Sequence, residues 1–277
     1  MASTNGVGEE ELNDVQRAIA EDKSTEEKSV KVKNLRWRYP RFFGQSDGER
    51  AFITGEDAKH LSTVLRMKTG ELVVLCDNNG TDSLCRICLC QKETVELEVL
   101  ESRKNDAEPS VEMTLFQCLP KSDKMDFIVQ KATELGAVNI VPVLSKRCVS
   151  RPDEKSALKK TQRWQKIAEE AAKQSGRGRI PEISPLTDFR KAVEEYSGKG
   201  TGILFYECGG KQISQLVTDK TAKIGIFIGS EGGFEPEEAA FAEEKGIALA
   251  TLGKRILRCE TAPVAALAVL MNLTGNL

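Results

Sequence analysis

Polar and apolar positions along this chain follow two different periods. Between Trp37 and about residue 102 they alternate over short runs, at 51–54, 71–76, 83–90 and 94–100, the last with Val95, Leu97 and Val99 on one face. A period of two marks half-buried strands. The turn cluster Asp77, Asn78, Asn79 and Gly80 joins two of them as a hairpin. One helix, 55–67, interrupts the strands. Several short strands within so few residues predict a small β-barrel.

After a linker at 103–110, with Asn105, Asp106 and Pro109, strands and helices alternate. A strand at 111–118 is followed by a helix at 123–135, on which Met125, Ile128, Val129, Ala132 and Leu135 form one apolar stripe closed by Gly136. Strands are then predicted at 138–144, 202–206, 224–228 and 247–252, with a long helix from 153 to 174 and further helices between. The last helix, 264–273, is apolar almost all round and is expected to be buried, but it is too short to span a bilayer. Such alternation implies an α/β parallel sheet with helices on both faces. Ordinary rules of chain connection give no reason to expect a knot.

A chain of 277 residues exceeds one typical domain, so two are expected. The expected divisions are an acidic, mostly disordered extension (1–36) with one short helix near 12–20, a barrel (37–105) and an α/β domain (106–277). Composition fits a soluble intracellular protein, cytoplasmic because the acidic extension is unlike a transit peptide. A chloroplast or mitochondrial home would require that such a peptide had been removed. The net charge of −2 argues against nucleic acid, but its distribution does not: residues 146–179 carry eleven basic and four acidic side chains, and 31–68 nine against four. Basic fields of this kind attract phosphate; a solvated helix face is the plainer alternative.

Eight cysteines without a secretory signal are read as reduced thiols. Cys85, Cys88 and Cys90 lack a second CxxC and are read as strand residues, so no metal is expected. His60 is the sole histidine, which removes zinc-hydrolase and Ser/His mechanisms unless His60 carries them.

The chemistry concentrates in two late loops, IGSEGGFEPEE from Ile228 and LGKRILRCETAP from Leu252, each after a strand and before a helix. Loops at the ends of neighbouring strands in an open α/β sheet wall one pocket. In the first, Gly229, Gly232 and Gly233 permit close backbone approach, and Pro236 with Glu235, Glu237 and Glu238 opens a helix. A polyphosphate cradle needs GxxxxGK[ST] or GxGxxG with no carboxylate inside. Glu231 stands mid-loop and no lysine follows the glycines, so a cationic ligand is allowed and a polyphosphate disfavoured. A plain tight turn would use the same glycines. In the second loop Gly253 breaks the strand, and Lys254, Arg255 and Arg258 interleave with Ile256 and Leu257 before Glu260. Such charges on the approach to a buried helix are costly unless they meet a ligand or each other.

These two loops, together with LPKSDKMDFIVQKATELGAVNIVPVLSKRCV from Leu119, resemble the ribosomal small-subunit RNA methyltransferase E family. The three motifs occur in that family's order, and the match runs from about Arg41 to the C-terminus. Ser230 departs from the family's usual proline. The resemblance implies a C-terminal SPOUT trefoil-knot domain preceded by a PUA-like RNA-binding barrel. It also implies S-adenosyl-L-methionine as cofactor and uridine N3 of small-subunit (16S-type) rRNA as target, in free RNA or an assembled subunit. A homodimer formed through the knot region is expected with it.

By the same match Leu204, Gly229, Ser230, Gly232, Leu252, Gly253, Ile256 and Leu257 would hold the cofactor, with core burial as the competing role of Leu204 and Leu252. Arg258 would stabilise the uridinate, and Glu260 or Glu231 would orient it or accept a proton. Arg41, His60 and Arg66 in the barrel, with Lys146, Arg147 and Arg163 beyond it, would meet RNA. An RNA-binding protein without the cofactor, and a methyltransferase with another target, share most of these features.

Overall fold

The structure is a computed structural model that describes residues 37–277; the disorder and short helix expected within 1–36 lie outside the described residues. Two compact units emerge. One ends at Asp77 and resumes over Thr81–Arg103, and the other comprises Asn78–Gly80 and Lys104–Leu277.

The first unit holds strands β1 (Arg41–Phe43), β2 (Gln45–Ser46), β3 (Arg50–Thr54), β4 (Leu72–Cys76), β5 (Thr81–Cys90) and β6 (Thr94–Lys104), in the order β1-β4-β5-β6-β3-β2. Alternation decides which side chains enter its core. Ala51 and Ile53 on β3, Cys85 and Ile87 on β5, and Val95 and Leu97 on β6 are all buried, while Phe52 between the first pair is exposed. β6 continues to Lys104, so the linker begins later than the turn-forming residues suggest. The helix expected over 55–67 is regular only as α1 (Gly55–Lys59). Over His60–Val64 the turn widens, and the Leu65 N–H reaches the His60 carbonyl at 2.9 Å. The β-branched Thr63 and Val64 favour a regular helix poorly, and Arg66 then takes a left-handed conformation (φ 55°) that ends the turn.

The second unit is built on β7 (Glu112–Cys118), β8 (Asn139–Leu144), β9 (Glu182–Ile183), β10 (Thr187–Asp188), β11 (Thr201–Phe205), β12 (Lys223–Ile228) and β13 (Ala248–Ala250). Their order is β10-β8-β7-β12-β11-β13, with β9 also on β8. Every pairing is parallel. All carboxyl ends therefore share one rim. The central strands are apolar on both faces because helices cover both; Phe116 of β7 stacks on Phe227 of β12 at 4.3 Å between ring centres.

Among the described residues there are six α-helices: α1, then α2 (Lys124–Glu134), α3 (Glu154–Ser175), α4 (Phe189–Tyr196), α5 (Pro236–Glu244) and α6 (Thr261–Leu273). The stripe on α2 is buried as its spacing predicts. Asp153 caps α3, accepting from the Ser156 N–H at 2.7 Å, and Gly176 (φ 76°) closes it.

The path after β13 decides the fold. β13 lies outside β11, yet α6 packs on α2 and β12. Residues between them must therefore cross back past the end of β11. α6 itself differs from expectation: Pro263, Ala266, Leu267, Leu270 and Met271 are buried, but Val264, Ala265 and Ala268 are only half-buried and Val269 is exposed. Only one stripe, at three- and four-residue spacing, faces the unit's interior. The described residues leave the other side uncovered.

Candidate functional site: a cleft between two glycine loops

A cavity of about 440 Å³ opens on the carboxyl rim of the parallel sheet. Its walls are the end of β11 (Phe205 to Glu207), the loop after β12 (Ile228 to Gly233) and the loop after β13 (Thr251 to Cys259), with Lys124 and Ala262 completing it. Three neighbouring parallel strands deliver these segments to one place. The Gln117 side chain, wholly buried at the end of β7, donates to the carbonyl of Gly229 at 3.4 Å.

Glycine is required in the first loop for packing reasons. A Cβ on Gly229 would come within 2.9 Å of the Gly233 backbone, and one on Gly233 (φ 68°) within 2.3 Å of the Glu207 carboxylate. The loop turns back on itself through the Gly233 N–H to Ser230 carbonyl bond at 3.0 Å. Behind it Pro236 opens α5, and Glu235 and Glu238 cap the helix reciprocally, the Glu235 N–H donating to Glu238 at 2.9 Å. Glu238 is buried, and its second oxygen accepts from the Lys146 N–H at 2.8 Å.

Of the residues expected to hold a cofactor, Gly229, Ser230, Gly232, Leu252, Gly253, Ile256 and Leu257 all line this cavity. Leu204 does not. It sits one residue before the end of β11, fully buried between Phe227 and Leu249 on the adjacent strands. The second loop is also more open than its charges suggested: Lys254, Arg255 and Arg258 are exposed, and Ile256 is 87% exposed. These cations avoid the burial cost by staying at the surface. Arg258 lines the cavity and its side chain makes no hydrogen bond or ion pair among the described residues.

Glu231 and Glu260 are not bound to Arg258. Both meet Lys124, whose ammonium lies 2.9 Å from Glu231 Oε1 and 3.3 Å from Glu260 Oε2. Glu231 also accepts from the Lys121 N–H at 3.1 Å, and Glu260 accepts from the Cys259 thiol at 3.2 Å. Partial burial pushes the Glu231 carboxyl up, but the bonds from Lys124 and backbone N–H groups outweigh it and hold its pKa below the ordinary value. Burial is likewise outweighed at Glu260 by the Cys259 and Lys124 bonds. Both are therefore ionised at neutral pH and weak as bases.

The expected RNA contacts divide. His60 and Arg66 are exposed. Arg41 is not: its guanidinium grips Asp82 through two bonds of 2.5 and 2.9 Å, with 12% of the side chain exposed, so it braces β1 rather than presenting charge. In the second unit Lys146 pairs with Glu237 at 2.5 Å, and Arg147 holds Glu235 at 3.0 and 3.2 Å and the Gly232 carbonyl at 2.8 Å. Arg163 is bound to Asp126. Arg177, also in the basic stretch, is wholly buried on Glu108 and the carbonyls of Thr133 and Ala137. Lys146, Arg147, Arg163 and Arg177 are thus paired within the chain, but of these only Arg177 is buried; the other three remain exposed, as do Lys155 and Lys159 on α3.

Sequence reasoning missed Lys124 as a cavity residue. One signal was available for Lys124: it opens the helix that follows β7, so it stands on the same rim as the two glycine loops.

A family model described as an RNA methyltransferase domain matches residues 107–271, and one described as an RNA methyltransferase PUA domain matches 53–100. The ribosomal RNA small subunit methyltransferase E of Bacillus subtilis is 35% identical over 226 residues, 79% of this chain and 88% of that protein. The chain belongs to the ribosomal RNA small subunit methyltransferase E family. A further member, from Aquifex aeolicus, is 32% identical over 81% of this chain and 95% of its own length. Among solved structures, the member from Neisseria gonorrhoeae bound to S-adenosyl methionine superposes with a TM-score of 0.78 at 33% identity, covering 85% of this chain and 98% of that one. The parallel-sheet unit is accordingly a SPOUT trefoil-knot domain, and the unit of β1–β6 is PUA-like.

Among the described residues no helix is long and apolar enough to cross a membrane, and no group of three or more His, Cys, Asp or Glu side chains is placed to hold a metal.

Proposed function

We propose that this chain methylates N3 of a uridine in small-subunit ribosomal RNA, using S-adenosylmethionine held in the cleft between the two glycine loops. The observation that carries the reading is the cleft itself, in a chain that shares its fold with the E-family member from Neisseria gonorrhoeae crystallised with that cofactor. The lining suits such a ligand. Glycines let backbone polar groups approach, Leu252, Ile256 and Leu257 offer apolar surface to an adenine ring, and Glu207 and Glu231 place negative charge where a sulfonium is tolerated.

When bound, the cofactor supplies a methyl group already activated by its sulfonium. The chain's own work is alignment and electrostatics. Gly229, Ser230, Gly232 and Gly253 hold through the backbone, and the apolar residues of the second loop exclude water. Uridine N3 lies on the Watson–Crick edge, so the base must be unpaired to reach the cleft. N3 takes the methyl group while the electrons of the broken S–C bond stay on the departing sulfur; before it can attack, N3 must give its proton to solvent, which leaves negative charge spread over the ring. The exposed guanidinium of Arg258, free of carboxylate partners, is assigned to stabilise that charge. Glu231 and Glu260, engaged with Lys124, shape the wall instead.

His60 and Arg66 on the PUA-like unit, with Lys155 and Lys159 on α3, are assigned to RNA phosphates, which makes binding weaken with salt. The uncovered side of α6, with Val264, Ala265, Ala268 and Val269, is assigned to a homodimer contact. Mass-spectrometric mapping of modified uridines in rRNA from cells with and without this protein tests the assignment. One N3-methyluridine in small-subunit rRNA should vanish with the protein; an unchanged map sinks the proposal.

A further inference from the structure

The cleft has two walls that are distant in sequence, and one side chain joins them. Lys124, in the first turn of α2, touches Glu231 of the first loop at 2.9 Å, Glu260 at the mouth of α6 at 3.3 Å and the Cys259 sulfur at 3.7 Å. It also lines the cavity. Its own side chain and both carboxylates are 24–29% exposed, so solvent screens the three charges only in part.

We infer that Lys124 is a positioning residue that latches the two loops together and thereby sets the width of the cofactor cleft; the inference rests on the proposed use of that cleft. Two carboxylates lie within 3.3 Å of one nitrogen. Without the ammonium they face each other as like charges in a partly dry site, and repulsion drives the loops apart. With it, one positive charge between two negative ones leaves this cluster net negative, a sign that suits a cationic methyl donor. Among the described residues no backbone hydrogen bond joins 228–235 to 251–262, and the remaining bond of Glu231, from the Lys121 N–H, does not reach the second loop.

The latch is tested on the full chain by calorimetric titration with S-adenosylmethionine and by amide hydrogen exchange of the ligand-free protein. Lys124→Met should raise the cofactor Kd about tenfold or more and speed exchange at 229–233 and 259–262, leaving the β1–β6 sheet unaltered. Lys124→Arg should bind within about threefold of the wild type, because its fork reaches both carboxylates. Adding Glu231→Gln to Lys124→Met should recover part of the lost affinity, since the like charges are then gone; a residue of purely structural value gives no such recovery. Cofactor binding and exchange by Lys124→Met within about twofold of wild type overturn the inference. If the wild type itself takes up no donor, the proposed function fails, and the exchange arm alone decides the latch. If Lys124→Met does not fold, the Glu231→Gln, Glu260→Gln double variant must speed exchange at the same two segments, and unchanged exchange there overturns the inference.

Discussion

From Gly229 to Glu235 the chain is fastened on several sides: Ser230 to Gly233, Glu231 to Lys121 and Lys124, Gly232 to Arg147, and Glu235 to Arg147 and Glu238. From Lys254 to Leu257, across the same cleft, no hydrogen bond ties the backbone among the described residues, and Ile256 is almost wholly exposed. Both loops follow parallel strands and both begin with glycine chemistry. One wall is thus held by its own bonds, and the other stands without them.

That contrast can be broken or sharpened at graded cost. The largest effect is expected from Arg258→Ala, which should cut turnover about a hundredfold while cofactor Kd stays within about twofold by calorimetry; unchanged turnover rejects the role given to Arg258. Next comes the fastened wall. Gly233→Ala puts a side chain at φ 68° and against Glu207, so it should lower stability by about 1–3 kcal/mol, seen as a fall in Tm, and weaken cofactor uptake with it. The open wall should behave differently. Ile256→Ala should raise cofactor Kd about five- to tenfold through lost apolar contact, with Tm essentially unmoved, as for other exposed sites. A comparable loss of Tm would show that this loop is built as firmly as the first.

A gentler probe is pH. Glu231 and Glu260 have folded pKa values below the ordinary 4.5, so their contribution is complete above that value and is lost as pH falls through the lowered ones. Cofactor affinity should show no step from these groups between pH 6 and 8 and decline only in acid; a step near neutrality would contradict their pairing with Lys124. Smallest of all, Glu237→Gln removes an exposed pair with Lys146, and the change by thermal melting should stay below about 1 kcal/mol.

Local pattern carried the sheet and the loops well. Strands expected at 224–228 and 111–118 are found at Lys223–Ile228 and Glu112–Cys118, because continuous apolar runs between turn residues leave few other readings. The glycines of the first loop were legible for the same reason: turn chemistry is local. What escaped were pairings across the chain. Arg41 with Asp82, Arg177 with Glu108 and Lys124 with Glu231 and Glu260 join residues far apart in sequence, and no periodicity records them. Arg41 was read as an RNA contact, Arg177 only as part of a basic stretch, and Glu231 and Glu260 as partners of Arg258, while Lys124 was passed over; all four contacts lie in a buried or cavity-facing place. The apolar α6 misled differently, since its composition cannot say which side the rest of the chain will cover.

One small contact at the end of the sheet limits how copies of this molecule can meet. Beyond β13 the backbone of Lys211 pairs alongside, its N–H on the Leu249 carbonyl at 2.9 Å and its carbonyl on the Thr251 N–H at 3.1 Å. Gly210 makes this approach feasible, as a Cβ there would strike the Leu249 and Ala250 backbone at 2.7 Å. The opposite margin is made of the two-residue strands β9 and β10. Neither border of this sheet offers a long row of unpaired amides for a neighbour's strand to extend.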